Sequence, residues 1–339
     1  DSTFWHLVTT MSEPGGFFRS DNFVSNETSY QRILDRLQSA TPPGGVYVGV
    51  GPDQNFTYIV ALRPRMAFIV DIRRQALLQQ LMYKALFEMS PSRADFVSHL
   101  FSRALPAGLD SDATPAALFR AVFAAAPDSA RYRDNLREIE DRLVHRHRFA
   151  LSADDLRGLA YVYDAFFTIG PDVSYSGDPR RGRGGRWMPG YAEMMLQTDS
   201  AGVNRSYLGS EARYRAIRNF EAANLLVPVV GDFGGPKAIR AVGAYVRAHD
   251  ALVTTFYTSN VEQYLFRDPD SWRHFYANVA AVPHDSASLF IRAVFGGYGY
   301  GRGYGTMRGE MLVTPIDRIL SAFDAGKIRS YWDVIALSR

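Results

Sequence analysis

Cysteine is absent from the chain, and this one absence excludes disulfides, thiolate metal sites and a cysteine nucleophile together. Avoidance of unpaired thiols favours an exported protein, periplasmic or secreted, over a cytoplasmic one. A chain that begins at Asp1 is expected to have lost a leader or tag. Long apolar runs are missing too: none approaches the roughly 20 residues of a membrane span. Charge of one sign is scarce, with a net charge of only +3, so nucleic acid is disfavoured as a partner. No G-x-S-x-G elbow, S-x-x-K pair or H-E-x-x-H motif occurs. His145 and His147 lie two apart on an expected helix and point to different faces, so no metal site is predicted from the histidines. A carboxylate site for Mg or Ca, through Asp71, Asp232 and Glu262, leaves little trace in a sequence and stays open.

What is present is ordinary globular material. The 339 residues are 47% hydrophobic and 22% charged, with 19 Tyr and 22 Phe, enough to fill one large α/β domain. The chain is read as a single domain over residues 1–339. Residues 1–43 form an N-terminal helical segment, 75–168 a helical insertion or cap, and 169–339 the second half of the sheet with C-terminal helices. No internal repeat is visible.

The organising stretch is 44–74. Val46, Val48 and Val50 with Tyr47 form a short apolar run bounded by glycines, which suits a buried parallel strand. Gly49 and Gly51 permit a tight turn, residues 55–62 a helix whose first amides point back at it, and 66–70 a second strand closed by Asp71. Asp71 stands 20 positions after Gly51, the separation at which a nucleotide-binding βαβ unit sets a carboxylate on ribose hydroxyls. Before it, residues 17–27 (FFRSDNFVSNE) are polar groups between aromatics, read either as turn and cap chemistry or as a wall over the glycine turn.

After Asp71 the period changes to three and four. Helices are expected over 75–89, 93–104, 114–125, 130–147 and 153–168, with starts at Ser152 and at Thr114-Pro115. Residues 225–230 and 252–257 read as strands with polar tips at Asp232 and at Ser259-Asn260, and 278–282 with 288–294 as a closing, antiparallel edge pair. The loops at 170–190, rich in Arg and Gly, and at 296–309, rich in Gly, read as surface loops. This rhythm of strand, polar tip and helix predicts a doubly wound, mostly parallel α/β sheet with a helical insertion after the second strand.

Gly49-x-Gly51 followed by Asp71 resembles the first half of a class I S-adenosylmethionine-dependent methyltransferase, a Rossmann-like fold. The segments 225–233 and 252–260 resemble that fold's fourth and fifth strands. The resemblance implies S-adenosylmethionine as cofactor, with Gly49 and Gly51 at its amino acid part and Asp71 on its ribose. Ser20-Asp21-Asn22, GPDQNFTY (51–58) and SNVEQYL (259–265) also resemble an uncharacterised bacterial family, which supplies no activity.

Ligands of open α/β sheets bind at the carboxyl ends of the strands, where strand order reverses. That rule gathers Gly49, Gly51, Asp53, Gln54, Asp71 and Arg73 as cofactor-binding candidates and Asp232, Glu262, Ser259 and Asn260 as catalytic ones. The expected function is methyl transfer to a small-molecule substrate, with Asp232 or Glu262 deprotonating the acceptor. A second reading is an exported, esterase-like hydrolase with Ser259, Ser25 or Ser20 as nucleophile. A third is a non-catalytic binder that has lost methyl transfer, which suits Asp53 where the family carries a third glycine. Asp71 beside Arg73 and Arg74 also permits a salt-bridged strand end with no ligand.

Overall fold

The computed structural model describes residues 1–177, 188–295 and 309–339. After α1 (Ser2–Met11) and α2 (Leu34–Ala40), β1 (Val46–Gly49) passes through the glycine turn into α3 (Gln54–Leu62) and β2 (Met66–Asp71). Helices α4 (Arg74–Met89), α5 (Arg93–Phe101), α6 (Pro115–Ala124), α7 (Ser129–Asp141), α8 (Ala153–Ile169), α9 (Tyr191–Met195) and α10 (Glu211–Ala222) follow before β3 (Leu226–Val230). The chain continues through α11 (Ala238–Ala248), β4 (Val253–Ser259), α12 (Val261–Leu265), α13 (Ser271–Ala280), β5 (Leu289–Val294) and β6 (Glu310–Pro315). It closes with α14 (Ile316–Asp324) and α15 (Tyr331–Ser338).

Among the described residues six strands form one mixed, mostly parallel sheet in the order β3-β2-β1-β4-β5-β6. Every strand pair from β3 to β5 is parallel, and β6 runs antiparallel to β5, with Leu289 opposite Pro315 and Val294 opposite Glu310. All residues of β1, β3 and β5 are buried, as expected of parallel strands covered on both faces. The protein is therefore α/β. None of the described helices is long and apolar enough to cross a membrane.

The helical layer after β2 is larger than the expected 75–168 segment, since all of α4 to α10 lies between β2 and β3. Its axis is α4, which is buried from Ala76 to Phe87 and packs against α8, α10 and β3. The expected helix starts are present. Ser152 and Asp155 form a reciprocal capping box, and Thr114 caps α6 with Pro115 at its first turn. Arg74 then grips Asp155 with two parallel bonds of 2.9 and 3.0 Å, fastening α8 to α4.

Residues 226–230 and 253–259 are the third and fourth strands in chain order, and β3 is the edge strand beside β2. Two expectations are corrected. Residues 278–282 are not a strand but the end of α13 and its exit, with Phe275, Asn278 and Val279 buried along one helical face. The antiparallel partner of the edge is β6, and β5 itself pairs parallel with β4. Of the two expected surface loops, residues 178–187 and 296–308 lie outside the described residues.

Candidate functional site

The strand order reverses between β1 and β4, so the switch point lies at the tips of these two strands. The glycine turn after β1 is closed by its own neighbours. A Cβ at position 49 would come within 2.1 Å of Asn55 Oδ1, and Gly51 sits at φ +80°, where a side chain is strained. The Asn55 amide fills that space. Its Nδ2 donates to the carbonyls of Val50 at 2.9 Å and Pro52 at 2.7 Å, while its Oδ1 accepts from Tyr47 Oη at 2.8 Å. Gln80 Nε2 donates to the Gly51 carbonyl at 3.1 Å. The turn is thus plugged by side chains.

Asp71, at the tip of β2, is held on both oxygens by Arg73, with Nε to Oδ1 at 3.0 Å and Nη2 to Oδ2 at 2.9 Å. The Arg73 amide donates to Oδ1 as well, at 3.0 Å. Nη1 of the same guanidinium donates to the carbonyls of Ser20 and Asp21. Both side chains are about nine-tenths buried, at 8% exposure each. Asp71 is therefore the anchor that holds the 17–27 segment over the sheet through Arg73, and its hydrogen-bonding capacity is spent on the protein.

That segment is a wall over the strand tips, and it brings in Glu27, a residue not singled out from the sequence. The Glu27 carboxylate accepts from Ser259 Oγ on one oxygen, and from Gln54 Nε2 at 2.6 Å and Tyr257 Oη at 2.8 Å on the other. Ser25 Oγ donates to Gln54 Oε1 and accepts from the Glu27 amide at 3.2 Å, fixing the carboxylate's approach. Glu27 is 2% exposed. Burial pushes its carboxyl above the ordinary range, against the opposing pull of the bonds from Ser259, Gln54 and Tyr257.

Ser259 ends β4 at φ +50°, a left-handed conformation unusual for a residue other than glycine, and the β4–β5 register slips between Tyr257 and Ser259. The slip turns the hydroxyl towards Glu27. Asn260 follows at the rim and donates to Gln263 at 3.4 Å. Glu262 is buried behind it in a closed set. It accepts from Arg292 Nη2 at 3.0 Å and Tyr276 Oη at 2.6 Å, and Arg292 is fully buried. Glu262 is thus the counter-ion of Arg292 and not a free base.

Two further candidates stand apart. Asp53 faces the helical layer, where it is buried and accepts from Tyr207 Oη at 3.2 Å; burial raises its carboxyl to about 7. Asp232 lies at the tip of the edge strand β3, with β2 and β1 between it and β4. Its carboxylate accepts from the Gly234 amide at 2.9 Å in a local turn. Glu13 takes the nearby amides of Lys237 and Ala238, both at 2.8 Å, and so occupies the start of α11.

The fold therefore gathers Gln54 and Ser259 with Glu27, Tyr257 and Ser25, sets Asp71 and Arg73 one strand away as an ion pair, and separates Asp53 and Asp232 from them. No cluster of three or more His, Asp or Glu suited to a metal ion occurs among the described residues. No curated protein matches the chain. A model of a domain of unknown function, DUF7790, matches residues 22–306, which take in the wall from Asn22 on, the glycine turn and every strand from β1 to β5, and the chain belongs to that family.

Proposed function

We propose that the strand tips at the switch point perform acyl transfer or ester hydrolysis on a small molecule, with Ser259 as nucleophile and Glu27 as its general base. The observation that carries this reading is the Ser259–Glu27 hydrogen bond made by a serine at positive φ. Strained backbone at a strand-to-helix turn is a common way of presenting a nucleophile, and a carboxyl pushed upward by burial is a better proton acceptor than an ordinary one. Ser259 Oγ would pass its proton to Glu27 as it bonds to the acyl carbon. Glu27 would return that proton to the leaving group, and water would free the acyl group by the reverse path. Gln54 and Tyr257 hold the carboxylate in place.

The test is modification by a fluorophosphonate probe, mapped by peptide mass spectrometry. Label on Ser259, lost in Ser259→Ala and slowed roughly a hundredfold or more in Glu27→Gln, is expected. An unlabelled protein, or label elsewhere that survives Ser259→Ala, would overturn it.

The strand order favours a second reading. Five parallel strands in the order β3-β2-β1-β4-β5, with an antiparallel edge, are compatible with a Rossmann-like, methyltransferase-like arrangement. The residues expected to hold S-adenosylmethionine do not fit it as they stand: Asn55 fills the glycine turn and Arg73 covers Asp71. No methyl-transfer step is derived. This favours a fold kept without methyl transfer, and calorimetric titration with S-adenosylmethionine tests it. Saturable heat that disappears in Asp71→Ala would restore the methyltransferase reading.

A further inference from the structure

A second, independent feature lies at the other end of the sheet, where α3 runs out before β2. A cavity of about 190 Å³ is lined by Gln38, Val60, Ala61, Arg63, Arg205 and Arg213. Three arginines line this small space. Arg205 is answered by Asp35, by Gln38 Oε1 and, at 3.8 Å, by Asp199. Among the described residues neither Arg63 nor Arg213 forms an ion pair, and Arg213 spends one donor, from Nη1, on the Asn204 carbonyl at 3.3 Å. Burial and the neighbouring Arg205 charge act against the charged form of Arg213 and Asp199 acts for it; three arginines against Asp35 and Asp199 leave a local excess of positive charge that an anion would relieve.

The carbonyl end of α3 does not account for these arginines. Gln38 Nε2 donates to the Ala61 carbonyl at 2.9 Å, and the Arg63 amide to the Ile59 carbonyl at 2.9 Å, so the helix end is capped without a guanidinium. The backbone adds a second observation. Arg63 is the left-handed C-cap of α3, at φ +51°, where glycine is the unstrained choice. An arginine stands at that strained position on the cavity rim.

We propose that this cavity is an oxyanion site that binds a phosphate group, held by Arg63 and Arg213 with Arg205 behind them. Guanidinium forks match phosphate oxygens in pairs. The volume, against roughly 30 Å³ for each liquid water, holds an anion of a few heavy atoms. The ligand is free phosphate or the phosphate of a small phosphomonoester.

Calorimetric titration of the full chain with inorganic phosphate and with phenyl phosphate, at ionic strength matched with chloride, tests this. Saturable binding, weakened roughly tenfold in Arg213→Ala, is expected. Phenyl phosphate binding at least tenfold tighter than phosphate would assign the site to phosphomonoesters, and equal affinity to the free ion. Arg63→Gly gives a readout that a merely structural arginine would not: the protein should melt higher while its anion affinity falls. Absence of saturable binding to both probes, or affinities unchanged in Arg213→Ala and Arg63→Gly, would overturn the proposal.

Discussion

Ser259 Oγ donates to the carboxylate of Glu27 across 232 positions of sequence. One partner ends the strand at the switch point and the other sits in the wall laid over it. The wall is held there by Arg73, which ties the carbonyls of Ser20 and Asp21 to the Asp71 tip of the neighbouring strand, and by Gln75 and Gln79, which donate to the carbonyls of Asp21 and Phe23. The ion pair expected to contact a ligand instead positions the residue that faces Ser259.

Replacing Ser259 with glycine separates strain from chemistry. Glycine relieves the positive φ by about 1 kcal/mol and loses a hydrogen bond to a charged group worth about 1.5–3 kcal/mol. Ser259→Gly is expected to stay folded with a modest fall in its urea midpoint, and to lose fluorophosphonate labelling completely. Retained labelling would remove Ser259 from the reaction.

The labelling rate should rise with pH. The base must be deprotonated, and burial places the Glu27 carboxyl above its ordinary value, so reactivity is gained as pH climbs through that raised pKa. Glu27→Gln should flatten the rising limb. A profile flat from mildly acid to alkaline pH in the native protein would contradict the assignment.

Cutting the Asp71–Arg73 pair leaves a buried guanidinium without its counter-ion. Asp71→Ala is expected to cost about 3–5 kcal/mol in urea denaturation. The double variant Asp71→Leu, Arg73→Met should recover part of that loss, and should still partly detach the wall, because the Ser20 carbonyl loses its donor and the Asp21 carbonyl keeps only Gln75 Nε2 at 3.4 Å. Proteolysis within residues 17–27, faster in the double variant than in the native protein, would report the detachment.

The β1–turn–α3–β2 unit was legible because alternating apolar runs and two glycines leave few other conformations for it. β6 was not: a glycine-rich stretch precedes it and Pro315 ends it, a residue tolerated there because β6 is the last strand in the sheet. Residues 278–282 misled because the apolar run of four at 279–282 is too short to show a period, although only Asn278, Val279 and Val282 of the segment are buried. At the site, the strand-tip rule gathered Gln54 and Ser259 at one edge, and both side chains bond to Glu27. Glu27 was hidden in a polar cluster whose composition also suits helix caps, and the anchoring of the wall by Arg73, Gln75 and Gln79 turns it inward. For Arg73 the sequence left two readings, a ligand contact or a salt-bridged strand end, and the bidentate contact with Asp71 is the second, which two residues of separation at a strand end allow.

Away from the site, Glu221 gives the protein a pH dependence of stability with a definite sign. It lies on α10, 1% exposed, and burial raises its carboxyl from 4.5 to about 8, more than the nearby Lys84 lowers it. Lys84 itself donates to the Glu221 carbonyl at 2.7 Å and pairs with Glu88 at 3.1 Å, so its charge is largely engaged elsewhere. Below the unfolded value of 4.5 both states hold the proton, and the contribution of the neutral, buried acid is fully present. Between 4.5 and about 8 the unfolded chain releases the proton while the folded protein keeps it. Stability from this group therefore falls as pH rises, by about 1.4 kcal/mol per pH unit, and levels off above the folded value. Glu221→Gln keeps the shape and removes the proton. Urea midpoints measured across that window should fall more steeply for the native protein than for the variant, and the variant should be the more stable of the two on the alkaline side. Parallel slopes in the two proteins would mean that Glu221 is ionised in the folded state, with Lys84 as its partner.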